Sequence, residues 1–212
     1  MIERFLKSLP PNIPDSPVIL DIGSRDGEQA LEFAAHFPTA RVFAFEARPE
    51  SASQTRVNVA SVPRIEVVET AVHNIDGKVA FHTIDEGNIG SSSLFIANPT
   101  DFAPIPPPQR PVTTLATRLD TWAKAAMIDR FDIVWMDLQG AELLAMQGMG
   151  EMLSTVRAIQ LEISYRQLYY GQVLWPELRL FMEANGMSLV DEWPDVSGYW
   201  GDAVFVQRNG KQ

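Results

Sequence analysis

The chain contains no cysteine, which excludes disulfides, thiolate metal sites and a cysteine nucleophile. Only three histidines are present, and none stands at zinc-ligand spacing from another. Positive charge is scarce: 17 Lys and Arg face 27 Asp and Glu, for a formal net charge of -10. A nucleic-acid backbone or an anionic membrane needs a basic surface, so neither is an expected partner. No run approaches the roughly 18 apolar residues of a membrane helix. The opening stretch MIERFLKSLPPNIPDSP lacks the apolar core of a signal peptide. A cytoplasmic protein is expected.

What is present is enough apolar material, 46% of 212 residues, to close one core, so residues 1–212 are expected to form one domain with 1–16 as an N-terminal extension. Apolar runs at 17–22, 41–46, 64–72, 131–137, 157–163, 187–193 and 202–207 have strand length. Helical spacing lies between them at 27–36, 50–60, 117–127, 140–149 and 174–185. This alternation predicts a Rossmann-like α/β fold: a mostly parallel sheet with helices on both faces. The last two strands are joined by PDVSGYWG, too short for a crossover helix, so the last strand is expected to run antiparallel. Residues 76–111 interrupt the rhythm as an insertion, with an extra strand (DGKVAFHTI) and a loop rich in Gly, Ser and Pro. A loop of that length in a compact domain is usually functional or disordered. The prolines at 104–111 read as a stiff wall.

VILDIGSRDGEQALEFAAHF reads as strand, tight turn and helix. In open α/β sheets ligands sit beyond the carboxyl ends of the strands. The dinucleotide pattern G-x-G-x-x-G fails here, because Arg25 and Glu28 occupy the second and third glycine positions. S-adenosylmethionine asks for something else. Asp21, closing the first strand, can face the cationic methionine end, while Gly23 and Gly27 admit backbone approach, with Ser24 and Arg25 in the same turn. Glu46, closing the second strand 25 residues later, can accept both ribose hydroxyls. The alternative is that Asp21 caps the helix and Glu46 is a solvated strand end.

VILDIGSRDG, VFAFEARPE, GSSSL, TRLDTW and FDIVWMDLQGAELLAMQGM, in this order, resemble the FkbM-type S-adenosylmethionine-dependent methyltransferases over roughly residues 17–163. The resemblance implies a methyltransferase acting mainly on oxygen, often on sugar or natural-product hydroxyls, and releasing S-adenosylhomocysteine. It implies a cofactor loop of Asp21, Gly23 and Gly27, a ribose clamp at Glu46, and Ala71 and Val72 near the adenine. The family usually carries Asn at position 25 and K-x-D-x-E-G-x-E at the fourth strand, where this chain has Arg25 and W-M-D-L-Q-G-A-E. Trp135 therefore stands for a lysine and Gln139 for a glutamate.

Methyl transfer to a hydroxyl needs an aligned acceptor and a group to take its proton. Asp137, at the end of its strand, is the candidate base or orienter, or else a helix cap. Glu162 and His73 are further catalytic candidates. Asn88, Ser91, Ser92 and Ser93 in the loop, with Tyr165 and Tyr169 after the fifth strand, are candidate substrate contacts. The aromatic cluster at 165–175 also suits a homodimer contact. Mg2+ on Asp137 and Glu162 would match oxygen ligands but is not favoured, and no metal site is expected. Two other readings stay open: a catalytically lapsed member that binds cofactor or a partner, and a nicotinamide-dependent oxidoreductase.

Overall fold

The computed structural model describes residues 2–101 and 108–208. Its main sheet has seven strands: β1 (Val18–Ile22), β2 (Arg41–Glu46), β3 (Ile65–Glu69), β7 (Ile133–Met136), β8 (Ala158–Ser164), β9 (Met187–Pro194) and β10 (Trp200–Gln207). The order is β3-β2-β1-β7-β8-β10-β9. All pairings among β1, β2, β3, β7 and β8 are parallel, and β10 lies antiparallel to both β8 and β9. The expected single antiparallel strand is thus β10. It is inserted between two strands that precede it, which the sequence did not announce.

Chain order runs outward from β1 through β2 to β3, then returns to β7 on the other flank of β1. That reversal opens a crevice at the carboxyl ends of β1 and β7, where ligands of such sheets bind. Ile22 pairs with Met136, so the next residues, Gly23 and Asp137, stand side by side at the crevice.

Strand side chains alternate between faces. Leu20, Ile22, Val134 and Met136 join a core under α4 (Leu119–Ala125), α5 (Glu142–Met149) and α6 (Trp175–Ala184). Ile19, Ile133 and Trp135 face a second core, built with α1 (Ile2–Lys7) and α2 (Glu28–His36). Pro49 fixes the first turn of α3 (Pro49–Asn58), which links β2 to β3. The helix α1 carries Phe5, fully buried and edge-on to both Phe33 and Trp135. No element was expected there. Trp135, at the position where the family resemblance implies a lysine, packs edge-on against Phe5 and Phe33.

The strand expected over 64–72 breaks at Thr70. β4 (Ala71–Val72) leaves the main sheet and pairs with β6 (Gln109–Thr117), which also pairs antiparallel with β5 (Gly77–Ile84). The extra strand of the insertion, β5, thus belongs to a second, three-stranded sheet whose β4 and most of β6 lie outside 76–111. The segment 109–117 was not expected as a strand, because Pro111 and adjoining polar residues mask its pattern. Residue 117 belongs to it rather than to the following helix. Pro104, Pro106 and Pro107 of the proposed wall lie outside the described residues. No helix among the described residues is long and apolar enough to cross a membrane.

Candidate active site

The turn after β1 is held from β2. Gly23 and Ser24 both donate their N–H to the Phe45 carbonyl at 3.0 Å. Arg25 N–H donates to Glu46 Oε2 and Arg48 N–H to Glu46 Oε1, each at 2.8 Å. Glu46 is buried at the strand end; burial pushes its pKa up, and these backbone donors oppose the shift. Each of its oxygens keeps a second lone pair for a ligand hydroxyl. Gly23 has φ +86°, and a Cβ there would lie 1.9 Å from the Asp137 carbonyl oxygen. Only glycine fits both the conformation and the approach of β7.

Asp21, Ser24 and Gly27 are placed differently from expectation. Alternation along β1 turns the Asp21 side chain to the α2 face, where it is buried and accepts the Ser24 hydroxyl at 2.6 Å. Burial raises its pKa to about 7. Neither residue lines the crevice; together they brace the turn from below. Gly27, with φ +83°, admits Thr55 and Val59 of the α3 segment, which a Cβ would meet at 2.9 and 3.0 Å. Its role is close packing of α2.

The crevice holds two adjoining cavities. The smaller, about 250 Å³, is lined by Gly23, Arg25, Glu46, Ala71, Val72 and Asp137 among others. Arg48 also lines it, and its buried Nε has no hydrogen-bond partner; the nearest carboxylate oxygen, on Glu50, is 3.5 Å away. An apolar wall from Phe45, Val72 and Phe81, a diol-accepting carboxylate and an unsatisfied donor fit an adenosyl group with a ribose. Arg25, also at positive φ, extends over the rim with its Nη2 3.2 Å from Asp26.

The larger cavity, about 630 Å³, shares Arg25, Gly90, Trp135 and Asp137 with the first and continues over β8 and β10. Gln139 organises its floor. Its Nε2 donates to Asp137 Oδ1 at 2.7 Å and to Glu162 Oε2 at 2.9 Å, and its Oε1 accepts from the Tyr169 hydroxyl at 2.9 Å. Glu142 lies beneath, accepting the Leu138 N–H at 2.8 Å at the start of α5. Burial, with Asp137 nearby, raises Glu142 to about pKa 7. Enclosure raises Asp137, relieved by Gln139 and Arg25. Glu162 is pushed well above the usual range by enclosure and by the charges of Asp137, Glu142 and Asp202.

The loop serines are largely spent on the loop itself. Ser93 is fully buried, donating to the Gln139 carbonyl at 2.8 Å and accepting from Phe95 N–H. Ser92 Oγ accepts the Ile84 N–H and donates to the Ile89 carbonyl, although the residue lines the smaller cavity. Ser91 Oγ accepts from Asn88, and both residues line the larger one. Tyr169 is buried behind Gln139, and its hydroxyl also lies 3.0 Å from the Ser91 carbonyl.

His73 and Tyr165 stand apart from both cavities. The His73 Nδ1 accepts the N–H groups of Asn74 and Ile75, closing the turn after β4. The Tyr165 hydroxyl donates to Glu192 at 2.8 Å, on the far edge of the sheet. Conversely, Arg48, Gln160, Trp200 and Asp202 line the crevice and were not singled out. Gln160 and Asp202 sit within apolar runs, where their polarity at a strand position was the available signal. Among the described residues no group of three or more His, Asp or Glu is arranged to hold a metal ion.

The architecture is that of Rossmann-like S-adenosylmethionine-dependent methyltransferases. Fibrillarin of Aeropyrum pernix, solved with bound S-adenosyl-L-methionine, matches 97% of this chain and 74% of its own at 11% identity, with a TM-score of 0.57. Magnesium protoporphyrin IX methyltransferase from Synechocystis PCC 6803 matches 97% and 76% at 12% identity, with a TM-score of 0.54. Residues 21–189 match the methyltransferase FkbM domain. The 2-O-methyltransferase NoeI of Sinorhizobium fredii (strain NBRC 101917 / NGR234) is 34% identical over 205 residues, covering 93% of this chain and 81% of NoeI. The chain belongs to the FkbM methyltransferase family and is an S-adenosylmethionine-dependent methyltransferase. This decides against the oxidoreductase reading.

Proposed function

We propose that this enzyme methylates a hydroxyl of a small polar acceptor, of the sugar or natural-product type, with Asp137 as the residue that orients the hydroxyl and takes its proton. The observation that carries this reading is that, among the described residues, Asp137 is the one carboxylate lining both cavities. Glu46, Arg48, Ala71 and Val72 would hold the adenosine part of the cofactor, and Arg25 its carboxylate. When bound, S-adenosylmethionine supplies an electrophilic methyl on a sulfonium.

Asp137 accepts a hydrogen bond from Gln139 and keeps further lone pairs for the acceptor hydroxyl. Asp137 is exposed at the crevice, and partial desolvation by the surrounding wall raises its pKa, which makes the carboxylate a stronger base than a freely solvated one. Glu162, tied to Asp137 through the same amide, is a neighbouring orienter rather than a second base. Gln139 thus holds together two carboxylates that a glutamate there would repel. The name of the NoeI relative, a 2-O-methyltransferase, supports an oxygen acceptor.

The test is formation of S-adenosylhomocysteine from S-adenosylmethionine across a panel of sugars and glycosides, after thermal unfolding with each adenosyl ligand and with NAD. A ligand at 100 times its Kd stabilises by about 2.7 kcal/mol. A shift with the adenosyl ligands and turnover with a hydroxylated acceptor is the expected result. Binding without turnover on any acceptor would favour the lapsed reading.

A further inference from the structure

The larger cavity is unequal in its hydrogen-bonding chemistry. Among the described residues, Asp137, Glu162, Asp195 and Asp202 line it with Arg25 as the cation in the lining, which is already within 3.2 Å of Asp26 and 4.0 Å of Glu28, while Arg4 of α1 acts on Asp202 from outside the lining. Each amide in its wall already donates to the protein: Gln139 twice, to Asp137 and Glu162, and Asn88 and Gln160 once each, to Ser91 and Asp202. Gln160 is buried, and its Oε1 has no hydrogen-bond partner at all. An unsatisfied buried acceptor is uncommon and points to a donor missing from the protein.

The placement is sharper than a general acidity. Glu162 and Asp202 face each other across the β8–β10 pair, next to Gln160, and both line the larger cavity but not the smaller. Their charge is therefore not the one that faces the cofactor end of the crevice, where Asp137 and Arg25 stand. No lysine or arginine of β7, β8 or β10 enters this part of the cavity, and position 135 is given to Trp135 and the aromatic core.

We propose that the acceptor of this enzyme carries a positively charged amino group, as an amino sugar or aminopolyol does, seated against Glu162, Asp202 and the unpartnered Gln160 Oε1. The inference deepens the methyltransferase reading and rests on it. An ammonium brings three N–H donors and one charge, which matches two carboxylates and an orphan carbonyl better than hydroxyls alone. Trp200 and Tyr199 complete the wall with surfaces for the apolar face of a ring. Burial raises Glu162 and brings Asp202 to about pKa 7, even with the Trp193 side chain hydrogen-bonded to Asp202 and Arg4 within electrostatic reach.

The test is calorimetric titration of the full chain, saturated with S-adenosylhomocysteine, with three disaccharides differing only at C2. These are the β-1,4 dimer of glucosamine with free amines, its N-acetylated counterpart, and cellobiose. The free amine is expected to bind roughly ten- to hundredfold tighter than either, the range for hydrogen bonds to a charged group. Asp202→Asn should remove most of that preference while S-adenosylhomocysteine affinity holds. Glu162→Gln, at a more open position, should do the same if the first variant folds poorly. Equal affinities, a preference for a neutral dimer, or no binding by any of the three overturns the inference. Binding of S-adenosylhomocysteine without amine preference leaves the methyltransferase reading standing; loss of that binding in the unaltered chain overturns the reading itself.

Discussion

Gly23 and Asp137 meet where β1 and β7 end, and a Cβ on Gly23 would stand 1.9 Å from the Asp137 carbonyl oxygen. One backbone atom thus sets both the turn after β1 and the position of the candidate base. Gly23→Ala combines that overlap with a left-handed φ, which alone costs about 1–3 kcal/mol. The variant is expected to lower Tm and abolish S-adenosylhomocysteine binding. Wild-type affinity in titration calorimetry would contradict the arrangement.

Glu46→Gln keeps one oxygen for a backbone N–H but removes the charge and half the acceptor capacity. Cofactor affinity should fall by roughly 1.5–3 kcal/mol. An unchanged Kd for S-adenosylhomocysteine would show that Glu46 serves only Arg25 and Arg48.

Asp137→Asn should reduce turnover by about 10²–10⁴, the usual contribution of a positioned acid or base. Cofactor Kd should change little. Equal losses in both would assign Asp137 to the cofactor or to the fold. In the unaltered enzyme, kcat should rise with pH through the upward-displaced ionisation of the site carboxylates.

Phe5→Ala tests the helix that no pattern announced. Phe5 is fully buried against Phe33 and Trp135, so truncation should cost about 3–5 kcal/mol. Denaturant unfolding reads this directly. A change within a few tenths would mean that α1 does not hold this face of the sheet.

Stability should also rise on mild acidification. Burial brings Asp21, Glu142 and Asp202 to about pKa 7 in the folded chain, whereas unfolded carboxyls titrate near 4. The folded state binds more protons between these values, so stability grows as pH falls from about 7 to about 5. Asp76, Asp85 and Asp191 are held low by hydrogen bonds, from the Arg118 backbone or from the Arg110 and Arg4 side chains, and withdraw their support only at lower pH. Calorimetric Tm should pass through a mildly acidic maximum, and Asp202→Asn should flatten its neutral side. A Tm that climbs from about pH 5 to about pH 7 would contradict this account.

Much of the crevice was legible because it is written locally. The strand, turn and helix around Gly23, the strand end at Glu46 and the strand end at Asp137 each follow from period and punctuation. What was misassigned depended on which way a side chain faces. Asp21 lies one position from Ile22 and so turns to the opposite face, beneath α2 rather than into the crevice. Gln160 and Asp202 escaped because their meaning comes from strand pairing across 42 residues. The serines at 91–93 offered hydroxyls to a substrate on paper, yet Ser91 and Ser92 bond within the loop and its flanking strand and Ser93 ties the loop to the Gln139 carbonyl. β6 was hidden because Pro111 and its polar neighbours lack the buried pattern of the central strands.

The insertion of β10 between β8 and β9 ties the two cavities to different lengths of chain. The smaller cavity is lined by residues between 22 and 141. The larger cavity reaches Asp202, and β9 joins the main sheet through β10. The cavity beside Glu46 is thus lined by the first two thirds of the chain, and the cavity that reaches Asp202 depends on its last strand.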